Sequence, residues 1–307
     1  MNKSHYALLI SLVALLLFTA CSSSDDAIEI EDQTVEDTDT SDDTDESLAA
    51  STLLNVSYGE NEQQVYDIYL PANRSATKTK VILLVHGGGW TGGDKADMTE
   101  FVSFITATYP DHAIVNTNYV LATFTGIPAF PNQYEDLAAV VAQLKTQSDD
   151  LQIFPEFGMI GSSAGAHLSM MYDYVYDTQD DIKFVANIVG PSDFTDPFYA
   201  DDPSFSIALD LFVDEDAFPP GTDYAAANSP VQVVTETASP TLMFYGDMDP
   251  LVPLSNGNRL DSALFAKNIT HLYTIYNGGH GDDWSDADRA DLTIKISQYI
   301  DTYLPIQ

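Results

Sequence analysis

Gly161-Ser162-Ser163-Ala164-Gly165 lies between an apolar run of strand length (157–160) and a run of helical character (166–176). The pentapeptide reads G-x-S-x-G, a sharp strand-to-helix turn with its middle serine at the apex. Flanking glycines suit such a turn, which is strained and brings its two backbones close together. A side chain at the apex stands clear of a sheet, at a helix N-terminus whose free N–H groups favour developing negative charge. Ser163 is therefore the candidate nucleophile. Taken alone, the five residues also fit a tight turn that merely packs two elements, so the reading depends on what the rest of the chain supplies.

Outward from this turn, strand-like and helix-like patterns alternate. Residues 54–58 and 65–70 alternate apolar and polar, as a half-buried antiparallel hairpin should. Residues 81–85 form a continuous apolar run, the mark of a strand covered on both faces. Shorter strands are expected at 113–116, 184–189, 241–245 and 272–276, with helical spacing at 96–108, 131–147, 258–266 and 287–303. This order implies an α/β fold: a mostly parallel central sheet with an N-terminal antiparallel hairpin and helices on both faces, in one domain over 53–307. Two aromatic stretches, 120–130 and 194–224, break the rhythm as irregular segments. Such segments sit at the carboxyl ends of strands and rim a pocket, or are solvated insertions.

Directly after the buried strand 81–85 comes His86-Gly87-Gly88-Gly89-Trp90. Successive glycines let the backbone approach a ligand and turn N–H groups toward it with no side chain in the way. Acyl transfer needs such donors, because charge develops on the carbonyl oxygen of the tetrahedral intermediate. Gly88 and Gly89 N–H, with Ala164 N–H just past the serine, are the expected oxyanion hole.

A serine also needs a base and an orienting carboxylate. Of the six histidines, His5 lies in the N-terminal apolar segment and His86 belongs to the glycine loop. His112 and His271 begin strands, and His167 lies inside the helix after Ser163. That leaves His280 as the base, in the glycine-rich loop Asn277-Gly278-Gly279-His280-Gly281. The acid is sought in Gly246-Asp247-Met248-Asp249-Pro250-Leu251-Val252-Pro253, where Asp249 is preferred, Asp247 is the alternative and Asp193 is a weaker candidate. Trp90, Phe124 and Phe130 are expected either in the pocket wall or in ordinary core packing.

From about Val65 onward the chain resembles the α/β-hydrolase superfamily, close to esterase/lipase families with an HGGGW oxyanion loop. V-Y-D-I-Y-L-P, H-G-G-G-W-T-G-G-D-K, P-N-Q-Y-E-D, G-S-S-A-G-A-H-L and G-D-M-D-P-L-V-P fall in that family's order. The resemblance places the acid on Asp249 and matches the chain order Ser, Asp, His. It implies carboxylic ester hydrolysis with no metal and no cofactor. Acetyl-xylan and feruloyl esterases share these features, as does kynurenine formamidase, so an amidase or peptidase is an alternative activity. A non-catalytic binding module is another. The family's Tyr-Arg pair is here Tyr119-Val120, and with only an acidic tether expected before the hairpin no helical N-terminal cap is expected there.

The net charge is −36. Residues 22–50 hold 12 acidic residues and no basic one, and the remainder is strongly acidic too. Such a surface repels phosphate backbones and anionic headgroups, which excludes nucleic acid and favours a neutral small-molecule or carbohydrate-linked ester as the partner. The lone cysteine, Cys21, rules out an internal disulfide. It follows an apolar core too short to span a bilayer of about 30 Å, in the pattern of a secretory signal over residues 1–20. Small residues before Cys21 resemble a bacterial lipobox. That resemblance implies export and a lipid anchor in a bacterial, outer, membrane, with a plain secretory signal as the alternative because Phe18 replaces the usual leucine. Residues 21–52 read as a disordered, self-repelling acidic tether.

Overall fold

The computed structural model describes residues 48–306. The expected signal segment, Cys21 and nearly all of the acidic tether lie outside the described residues. Within them the chain builds an 8-stranded sheet in the order β1-β2-β4-β3-β5-β6-β7-β8. The strands are β1 Ser51–Ser57, β2 Val65–Leu70, β3 Val81–Val85, β4 Ala113–Thr117, β5 Phe157–Ser162, β6 Ile182–Ile188, β7 Thr241–Gly246 and β8 His271–Tyr276. The pairs β1–β2 and β2–β4 are antiparallel, and every later pair is parallel.

The main helices are α1 Thr99–Thr108, α2 Asn132–Thr146, α3 Ala164–Met171, α4 Pro203–Phe212, α5 Leu254–Ala266 and α6 Asp286–Tyr303. One face of the sheet is covered by α1 and α6 through Val102, Ile105, Leu292, Ile296 and Ile300. The other is covered by α2, α3 and α5 through Leu137, Leu144, Leu168, Leu260 and Leu264. Both layers bury β3 completely, which is why 81–85 reads as unbroken apolar sequence rather than as an alternation.

The order of strands reverses between β3, whose chain next crosses to β4, and β5, from which the chain runs to the opposite edge. In an open α/β sheet, ligands bind where the order reverses, beyond the carboxyl ends of the strands. The register Val81↔Phe157 to Val85↔Gly161 ends β3 and β5 level with each other. His86-Gly87 therefore meets Ser162-Ser163 side by side.

The alternation expected at 54–58 is not realised as a half-buried face. A bulge shifts the register between Leu53 and Val56, Asn55 sits at φ 54, and Leu54 is 62% exposed. As an edge strand, β1 is covered over only part of its length, where Val56 packs against the core. The folded unit also begins before residue 53, since Asn73 N–H donates to Leu48 O at 2.8 Å.

The segment 194–224, expected to be irregular, is largely helical, holding Pro197–Ala200 and α4. Each begins with an Asp-Pro pair in which the aspartate caps the helix: Asp196 accepts from Phe198 N–H and Asp202 from Ser204 N–H. Aspartate at the N-cap followed by proline in the first turn is a strong helix start.

Helix α5 starts before the expected residue 258, because Asn256 and Gly257 are held by tertiary contacts. The Asn256 carboxamide oxygen accepts from Ser192 and Asp193 N–H at 2.8 and 2.9 Å.

Candidate active site

Ser163 joins β5 to α3 at φ 51 and ψ −119, a conformation in which a non-glycine residue is strained. Its own N–H donates to Ile188 O at 2.8 Å, so the neighbouring strand end holds the turn in place. A Cβ on Gly165 would lie 2.2 Å from Val85 O and 2.3 Å from His86 O. Only glycine lets α3 leave the turn this close to the end of β3. Each feature follows from packing a helix directly onto the strand that precedes it, and the consequence is a serine hydroxyl held at the top of the sheet.

The three candidate side chains, which come from the ends of three different strands, meet here. His280 Nε2 lies 2.8 Å from Ser163 Oγ, and His280 Nδ1 lies 2.7 Å from Asp249 Oδ2. A carboxylate can only accept, so the ring carries its proton on Nδ1 and turns the Nε2 lone pair to the serine O–H. Asp249 is itself fixed, because its other oxygen accepts from Leu251 and Val252 N–H at 2.8 and 3.0 Å. Its carboxylate is fully buried, so it has no rotational freedom to give up when it orients the ring.

Asp247, the alternative acid, does something else. It accepts from Gly278 N–H at 3.0 Å, while Met248 N–H donates to Gly278 O at 2.9 Å. These bonds tie the acid loop to the histidine loop. Asp193 is paired with Arg259 at 2.8 Å and faces α5. Of the other histidines, His86 donates through Nδ1 to Gly87 O at 2.6 Å and stacks on Tyr119. His112 bonds Leu304 O, and His271 bonds Ile269 O and Asp261.

Gly88 and Gly89 adopt φ 120 and 58, and Trp90 follows at φ 63. A left-handed run of this kind rotates successive N–H groups to one side. Among the described residues, no acceptor takes the N–H of Gly88 or Gly89. Ala164, as the first residue of α3, carries one of the N–H groups that a helix leaves without an intrahelical partner. The loop also abuts the serine directly: a Cβ on Gly87 would lie 3.1 Å from Ser163 Cβ.

The loop is pinned by residues that the motif itself does not contain. Gln133 Nε2 donates to both Trp90 O and Val120 O at 2.8 Å. Tyr119 O–H donates to His86 O at 3.0 Å. Trp90 Nε1–H donates to His167 Nδ1 at 3.3 Å. Gln133 lies in the quoted P-N-Q-Y-E-D stretch, so a signal for it existed, although its task is visible only in three dimensions.

The aromatic residues expected at the pocket wall separate into different environments. Phe130 is 0% exposed and packs among Trp90, Tyr134, His167 and Phe194. A side chain with no free surface cannot line a pocket, and its place in the wall is corrected to the core. Trp90 is half-buried in the same cluster. Phe124 is 49% exposed and rests on Phe212. Among the described residues, no group of three or more His, Cys, Asp or Glu side chains is arranged to hold a metal ion.

A mostly parallel sheet with a strained serine turn after β5, and with carboxylate and imidazole loops after β7 and β8, defines an α/β-hydrolase of the esterase/lipase class. Residues 66–264 match the model of the BD-FAE family. The chain belongs to that family.

Among curated proteins, it is 28% identical over 157 residues to the arylacetamide deacetylase of Oryctolagus cuniculus, covering 48% of this chain and 39% of that protein. It is 22% identical over 248 residues to esterase LipC of Mycobacterium tuberculosis, covering 76% and 60%. The chain thus spans less than two thirds of the length of either relative. Among solved structures, a truncated carbohydrate esterase from gut microbiota superposes with a TM-score of 0.65 at 18% identity, covering 83% of this chain and 98% of that one. At that identity the likeness is one of fold.

Proposed function

We propose that the protein is a serine carboxylic-ester hydrolase acting on short-chain or carbohydrate-linked esters, with Ser163 as nucleophile, His280 as general base and acid, and Asp249 as the orienting carboxylate. The observation that carries this reading is the continuous hydrogen-bonded line from Ser163 Oγ through His280 to Asp249, at 2.8 and 2.7 Å.

In the first step Ser163 Oγ attacks the ester carbonyl carbon while its proton passes to His280 Nε2. The oxyanion accepts hydrogen bonds from Gly88, Gly89 and Ala164 N–H, each such donor being worth roughly 10²–10³ in rate. Collapse breaks the bond to the alcohol oxygen, which takes the proton from His280 and leaves an acyl-serine. Water then gives a proton to His280 and attacks the acyl-serine. The second tetrahedral intermediate expels Ser163, which recovers the proton, and the acid is released.

The test is covalent labelling by a fluorophosphonate with Ser163→Ala as control, followed by turnover of acetyl, feruloyl and p-nitrophenyl esters. Failure of Ser163 to label, or an unimpaired Ser163→Ala variant, would overturn the reading. A preference for octanoyl over acetyl esters would overturn the short-chain assignment.

A second reading, amide hydrolysis by the same residues, is favoured by the similarity to a protein named arylacetamide deacetylase. Parallel assays on phenyl acetate and acetanilide separate the two. We also propose that the enzyme is exported and lipid-anchored through Cys21, a reading that rests on the sequence of residues 1–21. Incorporation of labelled palmitate that is lost in Cys21→Ser tests it.

A further inference from the structure

Asn277-Gly278, at the start of the histidine loop, is one of two Asn-Gly pairs in the chain, the other being Asn256-Gly257. In such a pair the glycine nitrogen can attack the asparagine carboxamide carbon, and no Cβ on the glycine hinders the approach. For the first pair, a bond forms from Gly278 N to Asn277 Cγ and the Cγ–Nδ2 bond breaks. The carboxamide nitrogen leaves as ammonia, with the proton that Gly278 N gives up. Water then opens the cyclic succinimide at either carbonyl. One opening leaves aspartate. The other leaves isoaspartate, whose main chain runs through Cβ and Cγ and is an atom longer.

The two pairs are held very differently. Asn256 is 0% exposed within α5. Its carboxamide accepts from Ser192 and Asp193 N–H and donates to Asp196 Oδ2 at 3.1 Å, so Cγ cannot swing toward Gly257 N. Asn277 is exposed, and among the described residues its carboxamide has no hydrogen-bond partner. The restraint on its attacker is the bond from Gly278 N–H to Asp247 Oδ1 at 3.0 Å, which must open before the nitrogen can turn on Cγ.

The effect of a longer main chain follows from what surrounds Asn277. On one side Tyr276 O accepts from Asp247 N–H at 3.0 Å, and on the other Gly278 O accepts from Met248 N–H at 2.9 Å. Asn277 thus joins two fixed points. There is no slack beside them, since a Cβ on Gly246 would lie 2.4 Å from Gly278 O and 2.0 Å from Gly279 O. An added atom therefore pushes along the loop to His280, whose distances to Asp249 and Ser163 are 2.7 and 2.8 Å. A misplacement of about 1 Å at reacting groups costs about 10² in rate. We infer that Asn277-Gly278 is a site of spontaneous succinimide formation, and that its isoaspartyl product switches the enzyme off by displacing His280. The loss of activity rests on the hydrolase reading, whereas the chemistry at Asn277 does not.

The test ages the full chain in mildly alkaline buffer and follows it by peptide mass and by turnover of an acetate ester. Conversion of amide to acid is expected at Asn277 and not at Asn256, and kcat of the separated isoaspartyl form should be roughly 100-fold lower. Asn277→Gln must close a larger, slower-forming ring and should keep its activity over the same period. Asn277→Asp carries the charge of the products without the longer main chain, and should begin near wild-type activity. An isoaspartyl methyltransferase with S-adenosylmethionine, which returns isoaspartate to aspartate, should restore the aged wild type. Asp247→Ala should convert faster than wild type, and Asp247→Asn, which keeps an acceptor, more slowly than Asp247→Ala.

An aged protein with Asn277 intact overturns the site, as does conversion that reaches Asn256 first. Isoaspartate at 277 with undiminished kcat overturns its effect on His280, and so does an equal loss of activity in aged Asn277→Gln. Asp247→Ala that converts no faster than wild type overturns the restraint assigned to Asp247. Fresh wild type that turns over no ester overturns the hydrolase reading and the loss of activity with it, while the mass at Asn277 still decides the conversion.

Discussion

The indole N–H of Trp90 donates to Nδ1 of His167 at 3.3 Å, a bond between the residue that closes the HGGGW loop and the helix that follows Ser163. Nε2 of the same ring lies 2.9 Å from Asn228 O, and a carbonyl can only accept. The proton of His167 is therefore on Nε2, and its Nδ1 lone pair is what the indole needs. One buried neutral imidazole thus holds the glycine loop in register with the serine turn.

A second proton on that ring would set two donors face to face. Burial pushes the His167 pKa down to about 4, against an ordinary 6.5, although the bond to Asn228 pulls the other way. Between those pH values the unfolded chain holds more protons than the folded one, so the group's contribution is complete above pH 6.5 and is lost as the pH falls toward 4. His167→Phe removes that titration. The difference in unfolding free energy between wild type and variant, measured in urea from pH 4.5 to 7.5, should shrink as the pH falls, by up to about 1.4 kcal/mol per pH unit. A difference that does not change with pH would show that the ring is not held neutral.

Asp249 and Asp247 lie on one loop but make different bonds, and amide substitution separates their roles. Asp249→Asn keeps an oxygen for the N–H groups of Leu251 and Val252 but offers His280 no carboxylate. It should cost about 10⁴ in kcat with little change in stability. Asp247→Asn keeps an acceptor for Gly278 N–H and should stay within about tenfold of wild type, since it disturbs a single loop bond worth about 1 kcal/mol. Steady-state kinetics on one acetate ester decide the matter: equal losses would remove Asp249 from its role.

The positions of Ser163, His280 and Asp249 were legible because each sits in a short motif at a strand end, where spacing and strand order limit the options. The choice between Asp249 and Asp247 was sharpened by the family pattern, and the geometry that separates them is a matter of single hydrogen bonds. Phe130 was not legible. Its neighbours in sequence are irregular, and nothing local says that it fills the layer between Trp90 and α2. The helices within 194–224 escape a reading by apolar spacing for a different reason: their starts are marked by Asp196-Pro197 and Asp202-Pro203, where an aspartate directly before a proline caps a helix. Gln133 and Asn256 look like ordinary polar residues of helices, and their work lies in backbone groups far away in sequence.

Gly165 makes a test of the serine turn that touches none of the reacting groups. The Cβ of Gly165→Ala would meet two backbone oxygens at 2.2 and 2.3 Å, and neither can swing away as a flexible side chain could. Overpacking that moves backbone typically costs about 1–3 kcal/mol, and this site should fall at the upper end. Because the strain falls on the junction of β3 and α3, kcat should drop by more than KM rises. A urea midpoint equal to that of wild type would mean that α3 shifts freely against β3, contrary to the packing described.

Asp173 supplies the opposite pH dependence from a place remote from the serine. It sits in the π-helical segment Tyr172–Tyr176 that continues α3, with its carboxyl buried, accepting from Ser239 N–H and Oγ–H at 2.9 and 2.7 Å. Burial raises its pKa from 3.8 to about 7, with the Ser239 bonds opposing the rise and Asp177 and Asp180 adding to it. Between pH 3.8 and 7 the folded protein holds a proton that the unfolded chain has released, so this contribution is complete below 3.8 and is lost as the pH rises through 7. From pH 4 to 6.5 it therefore slopes against His167, and a wild-type stability curve alone hides both. Asp173→Asn keeps one acceptor for Ser239 and no titration. The stability of wild type relative to the variant should fall between pH 5 and 8, again by up to about 1.4 kcal/mol per pH unit. If that relative stability were to rise with pH instead, Asp173 would be ionised in the fold, and the burial argument for it would be wrong.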